Sequence, residues 1–169
     1  MRKLIIGILV LMAFPVFGDA QEVKWITFQE AIKLNETTPK KIFIDVYTNW
    51  CGWCKKMDQT TFKDKDIVEY INENYYAVKL NAEMSDTIVF SGYTFVNQGG
   101  SNGRKGTHQL AIALLQGKMS YPSYVFMNED AKVLTIAPGY REAKEFLPLL
   151  KYFGSDAYLN EKYNDFLKK

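Results

Sequence analysis

The chain has 169 residues, a formal net charge of +2, 47% hydrophobic residues and 15% aromatic residues. That length suits one domain, and that apolar share excludes wholesale disorder. Charges of both signs are interleaved, and the lysine doublets are scattered, so no one-sided basic surface exists for a nucleic-acid partner.

The first element is a segment of different composition. Arg2-Lys3 is followed by an apolar run from Leu4 to Phe17, then small residues at Gly18 and Ala20. This is the order of a secretory signal peptide, with cleavage expected before Gln21. The run falls short of the ~20 apolar residues of a spanning helix, and no cysteine follows it for lipid attachment. The expected organisation is a signal peptide over 1–20 and a single domain over 21–169. The mature chain is expected to be periplasmic or secreted, without stable membrane insertion.

Val23-Lys24-Trp25 predicts a short edge strand. Thr27-Phe28-Gln29-Glu30 is a capping-box pattern that starts a helix at Thr27, ended by Thr37-Thr38-Pro39. KIFIDVY, Lys41 to Tyr47, predicts a strand buried on both faces, interrupted only by Asp45. A helix is expected from Lys55 to about Thr60, and a second one capped by Asp64 with Ile67, Val68 and Ile71 at helical spacing. Tyr76 to Asn81 reads as another strand, so the order is that of an α/β layer.

The stretch Met84–Ser120 is less regular. It predicts a small hairpin around Ser91-Gly92, a loop over Gln98–Gly106, and a helix capped by Thr107 and closed by Gly117. The loop lacks the Gly-Lys-Ser/Thr of a phosphate-binding loop. Ser123–Met127 and Lys132–Ala137 predict a strand pair around a turn at Asn128–Ala131. A helix over Glu142–Phe153 should be kinked by Pro148. Ser155 is expected to cap a final amphipathic helix.

Cys51 and Cys54 are the two cysteines. A bridge this short removes little loop-closure entropy, so stability does not explain the pair. A zinc site needs about four N, S or O ligands, and with only two cysteines, no second cysteine pair and the single histidine, His108, which reads as a surface or helix-start residue, none is expected. No metal, nucleotide or flavin motif is present, so no cofactor is expected. The thiolate is the attacking form of cysteine, and a helix N-terminus stabilises an anion. Cys51 sits where the buried strand hands over to a helix, and Cys54 lies one turn on. Cys51 is therefore the expected nucleophile and Cys54 the resolving thiol, with Gly52 permitting a tight turn between them.

Phe43-Ile44-Asp45-Val46-Tyr47 followed by Trp50-Cys51-Gly52-Trp53-Cys54-Lys55 resembles the thioredoxin superfamily, in particular its exported members. The resemblance spans roughly Trp25 to Phe153 and is weakest in the middle. It implies a thioredoxin-like α/β fold, a central mixed β-sheet flanked by helices, with an insertion before a cis-proline. Asp45 lies where the family carries a buried acid, and Lys79 matches the lysine that partners it. Asp45 is then either the proton acceptor for Cys54 or one half of a structural ion pair. Pro122 matches the cis-proline facing the dithiol, with ordinary turn proline as its alternative. The backbone of Tyr121 would pair with an extended substrate. Trp50, Gly52, Trp53, Tyr121 and Pro122 are thus the expected substrate-binding residues, although either tryptophan could serve packing alone.

Two departures stand out. Sixty-seven residues separate Cys54 from Pro122, more than a minimal thioredoxin uses, and the bridging pair is Gly-Trp, without a histidine that could charge. The resemblance implies an exported thiol–disulfide oxidoreductase. It would reduce protein disulfides with electrons from a membrane or periplasmic thiol donor. The alternatives are a disulfide oxidase or isomerase using the same residues, and a non-catalytic binding module.

Overall fold

A computed structural model describes residues 22–100 and 106–169. The expected signal peptide and part of the Gln98–Gly106 loop lie outside the described residues. Five strands form one sheet: β1 (Trp25–Ile26), β2 (Lys41–Tyr47), β3 (Tyr75–Asn81), β6 (Ser123–Met127) and β7 (Val133–Pro138), in the order β1-β3-β2-β6-β7. β1, β3 and β2 run parallel, while β6 and β7 are antiparallel additions. A separate hairpin, β4 (Ile88–Phe90) with β5 (Tyr93–Phe95), stands between β3 and β6. The helices are α1 (Phe28–Thr37), α2 (Gly52–Gln59), α3 (Lys65–Asn74), α4 (Gln109–Leu114), α5 (Ala143–Gly154) and α6 (Tyr163–Phe166).

Local chemistry sets these elements. Thr27 caps α1 with the full capping box: its side chain accepts from the Glu30 N–H while the Glu30 carboxylate accepts from the Thr27 N–H at 2.8 Å. Asp64 accepts from the N–H groups of Asp66 and Ile67 to start α3. The hairpin turns at Ser91 (φ 50°) and Gly92 (φ 79°), both in the left-handed region that a tight two-residue turn requires.

β2 is buried on both faces, as its unbroken apolar run demands. Ile42, Ile44 and Val46 pack with Val78, Leu80 and Val125 against Phe28 and Ala31 of α1 and Leu110, Ala111 and Leu114 of α4. Phe43 packs on the other side, with Tyr75, Tyr124 and Phe126, against Met57 of α2, α3, and Phe146 and Leu150 of α5. Six aromatic rings lie with centroids 5.5–6.2 Å from that of Phe43.

The structure corrects several boundaries. β1 pairs two residues later than its expected start, because the Trp25 N–H donates to the Val23 carbonyl in a tight turn. α2 begins at Gly52 rather than Lys55. α4 is capped by His108, not Thr107. His108 is a helix-start residue but is fully buried rather than on the surface. Its Nδ1 accepts from the Leu110 N–H, which makes Nε2 the donor to the Asp86 carbonyl at 2.8 Å. α5 runs unbroken through Pro148; Lys144, whose carbonyl loses its helical partner there, is exposed. Ser155 ends α5 instead of starting a helix. The left-handed backbone of Asp156 (φ 62°) breaks the chain into a short 3₁₀ turn at Ala157–Leu159, followed by α6 capped at Lys162.

Among the described residues, no helix is long and apolar enough to cross a membrane.

Candidate active site

β2 leaves the sheet at Tyr47, and Thr48-Asn49-Trp50 carries the chain to the start of α2. The Cys51 N–H donates to the Thr48 carbonyl at 3.1 Å, which holds this turn. Cys51 has extended backbone (φ −71°, ψ 104°) and is the N-cap of α2, its Sγ accepting from the Cys54 N–H at 3.0 Å. A sulfur in that position faces the unpaired N–H groups and positive end of the helix, which favour the thiolate in the reduced protein. Here Cys51 and Cys54 form a disulfide, with Cα atoms 5.3 Å apart, and both are buried.

Gly52 does not serve a tight turn. Its φ is not positive, and a Cβ added there would meet nothing within 4 Å. On either side of the pair stand two exposed indoles, Trp50 and Trp53. The Trp50 ring meets Tyr121 edge-on at 5.8 Å, and its Nε1–H donates to Glu83 Oε1 at 2.8 Å. Trp53 packs on Tyr140 at 5.1 Å. The Tyr121–Pro122 peptide is cis. The Pro122 carbonyl accepts from the Gly139 N–H at 2.8 Å, which ties the start of β6 to the loop bearing Tyr140.

On the aromatic side of the sheet, beneath α2, lies a charged group. Asp45 stands opposite Lys79 in the parallel β2–β3 ladder and opposite Tyr124 in the antiparallel β2–β6 ladder. Its Oδ2 accepts from Lys79 Nζ at 2.6 Å, while Oδ1 has no partner among the described residues. Burial pushes the Asp45 carboxyl up to about 6, against the pull of Lys79. Burial also works against the Lys79 ammonium, but Asp45 and Asp58 outweigh it and hold its pKa above the usual lysine range. Nζ of Lys79 contacts Asp58 as well, and lies 4.8 Å from the centroid of the Trp25 ring, 5.2 Å from that of Tyr47 and 5.3 Å from that of Phe62. Asp58, Lys79 and Trp25 line a pocket of about 260 Å³ at the surface.

The expected residues therefore fall into two groups. Cys51 and Cys54 form the buried disulfide at the start of α2, with Gly52, Trp50 and Trp53 around it and Tyr121, next to the buried Pro122, against Trp50; Asp45 and Lys79 form the ion pair inside. Sequence reasoning missed Asp58, Glu83 and Tyr140. Asp58 had a signal, four residues after Cys54 and so on the same face of α2. Glu83 and Tyr140 sit in connections and had none. Among the described residues, no three His, Cys, Asp or Glu side chains converge on a metal position.

The comparisons agree with this architecture. The family model of the thioredoxin-like domain matches residues 28–154, and the chain belongs to that family. A protein of Archaeoglobus fulgidus is 30% identical over 82 residues, which is 48% of this chain and 65% of that protein. The thiol:disulfide interchange protein DsbD of Actinobacillus pleuropneumoniae is 27% identical over 117 residues, 68% of this chain but 16% of its own length. The chain thus spans less than two thirds of either relative. The solved structure of a protein proposed as a disulphide-isomerase from Bacteroides thetaiotaomicron is 25% identical, with a TM-score of 0.58 over 85% of this chain and 99% of the other. The fold is the mixed α/β thioredoxin-like fold, and it carries a disulfide-forming Cys-Gly-Trp-Cys pair.

Proposed function

We propose that the protein is an exported thiol–disulfide oxidoreductase that reduces protein disulfides through Cys51 and Cys54. The observation that carries this reading is the placement of the cysteine pair at the N-terminus of α2, between two exposed indoles. Likeness to a thiol:disulfide interchange protein supports the same class.

In the reduced protein the Cys51 thiolate attacks a substrate disulfide. One substrate sulfur leaves as a thiolate, and a mixed disulfide forms. Cys54 then attacks the Cys51 sulfur, the Cys51–Cys54 bond forms, and the second substrate thiolate leaves. Two electrons pass to the substrate. Asp45 takes the proton Cys54 must lose, a task suited to a carboxyl raised to about 6. Lys79 holds the charge that this carboxylate carries before the transfer. Trp50 and Trp53 form the apolar rim for the substrate, and the backbone of Tyr121 beside Pro122 pairs with its extended segment. Trp53 cannot charge as a bridging histidine does, which favours a reducing potential. An outside thiol donor, in the membrane or periplasm, restores the dithiol. Export rests on the 1–20 segment.

A higher potential would make the same residues an oxidase or isomerase, the direction suggested by the Bacteroides relative. The test of the class is substitution. Cys51→Ser abolishes reduction of a protein disulfide such as insulin, and Cys54→Ala accumulates covalent mixed disulfides with clients. Equal activity of Cys51→Ser and the parent protein would sink the enzyme reading and leave a binding module.

A further inference from the structure

The Trp53 side of the dithiol opens into a groove that the proposed exchange does not use. Its volume is about 490 Å³, and Lys56, Thr60, Lys63, Asp64, Tyr140 and Glu142 line it. The end of α2 and the turn after it form one wall; the connection from β7 to α5 forms the other. The two walls are tied together where Thr61 Oγ1 donates to the Arg141 carbonyl at 2.7 Å. Tyr140 links the groove to the dithiol, because the same ring packs on the exposed Trp53 at 5.1 Å. Lys56 stands three residues after Trp53 in α2, so the two side chains lie on one face of that helix.

The charges of this groove do not balance. Glu142 pairs with Lys144 at 3.0 Å, and Lys63 pairs with Glu22. The Asp64 carboxylate accepts from the N–H groups of Asp66 and Ile67 at 3.1 and 3.2 Å, so it is matched to the positive end of α3. Lys56 is exposed and has no acidic partner among the described residues. With the acids matched, the charge left over is a cation, on the helix that also carries Cys54. A groove with an aromatic ring, a threonine hydroxyl and one unmatched cation complements a peptide segment that carries a carboxylate.

We propose that this groove receives an acidic stretch of the substrate polypeptide, held by Lys56, so that the protein selects disulfides with Asp or Glu close by in the chain. This rests on the proposed reading of Cys51 and Cys54 as a disulfide reductase, and names the class of disulfide it prefers. Lys56 takes no part in the exchange of sulfurs. It acts through binding, so its effect falls on KM and leaves kcat.

The test uses two synthetic peptides with one internal disulfide each, flanked on both sides by Glu-Glu or by Gln-Gln, and follows their reduction by the whole protein. Lys56→Gln keeps a good helix former at an exposed position, so the variant folds. It should lower kcat/KM for the Glu peptide about 2–5-fold, through KM, and leave the Gln peptide within about 1.5-fold. Raising the ionic strength from about 0.02 M to about 0.5 M should close most of the gap between parent and variant. Equal losses on both peptides, or no loss on either, overturn the proposal. Lys132→Gln makes the same change of net charge in the β6–β7 turn, at the far end of the sheet, and should match the parent protein. An equal loss there would assign the effect to the overall field and also overturn the groove. Versions of the peptides with serine for both cysteines separate the groove from the chemistry. By tryptophan fluorescence the parent protein should bind the Glu version more tightly than the Gln version, and Lys56→Gln should erase that difference. Absence of any difference overturns the groove even where reduction proceeds. Absence of reduction with the difference intact sinks the reductase reading alone.

Discussion

Ile42, Ile44 and Val46 leave β2 toward α1 and α4; Phe43 and Asp45 leave it toward α2, α3 and α5. Both sets are buried, at no more than 1% exposure. On the first side the neighbours of the strand are mostly aliphatic. On the second they are rings, and among them sits an acid–lysine pair. Aromatic faces attract a cation, and Lys79 lies near three of them while it binds Asp45 and Asp58. A strand can thus spend one side entirely on packing and use the other to hold a charge beneath α2. The difference teaches where this fold tolerates an expensive group: on the side of the sheet that carries α2.

The largest expected effects test whether packing on the two sides is equally important. Phe43→Ala should lower stability by about 3–5 kcal/mol, and Ile44→Ala by about 2–5 kcal/mol, read from urea unfolding. A loss under 1 kcal/mol at either position would break the picture of two full cores.

Asp45→Asn should do the opposite. The folded carboxyl is raised from 3.8 to about 6, so the native state holds its proton more tightly than the unfolded chain. Asp45 therefore costs no stability below about pH 4, an increasing amount as pH rises to 6, and its full cost above that. Asparagine should gain about 2–3 kcal/mol at pH 7–8, with the gain gone by pH 4. The same variant should slow the resolving step. A destabilised Asp45→Asn at pH 8 would mean that the ion pair with Lys79 outweighs burial.

Smaller effects are expected at the rim. Glu83→Ala frees the Trp50 indole and should raise KM for a protein substrate several-fold, with kcat little changed and stability shifted by about 1 kcal/mol or less. Glu83→Gln keeps an acceptor and should restore KM. Gly52→Ala fills open space, so stability should change by about 0.5 kcal/mol or less, and any loss of exchange would report substrate approach.

Much of this was legible in the chain because local rules suffice for it. The Thr27 capping box, the unbroken KIFIDVY strand, the Ser91-Gly92 turn and Cys51 at a helix start are each readable within a few residues. The pairing of Asp45 with Lys79 followed from the resemblance to a family. What escaped depends on contacts far apart in sequence. His108 is buried because its two ring nitrogens are satisfied by Leu110 and Asp86, which no spacing announces. The final helix was shortened by one left-handed residue, Asp156; aspartate is among the non-glycine residues that tolerate that conformation best, but composition alone does not say which aspartate adopts it. Glu83 reaches Trp50 across 33 positions. Asp58 could have been found from its helical spacing to Cys54, had charge on that face been sought.

The redox equilibrium of Cys51 and Cys54 against glutathione, followed by the fluorescence of the flanking Trp50 and Trp53, tests the central claim most directly. A reversible two-electron transition with a potential near the thioredoxin end, about −270 mV, is the predicted result. A value near the oxidant end, about −120 mV, would contradict the reductase and make the chain a disulfide donor.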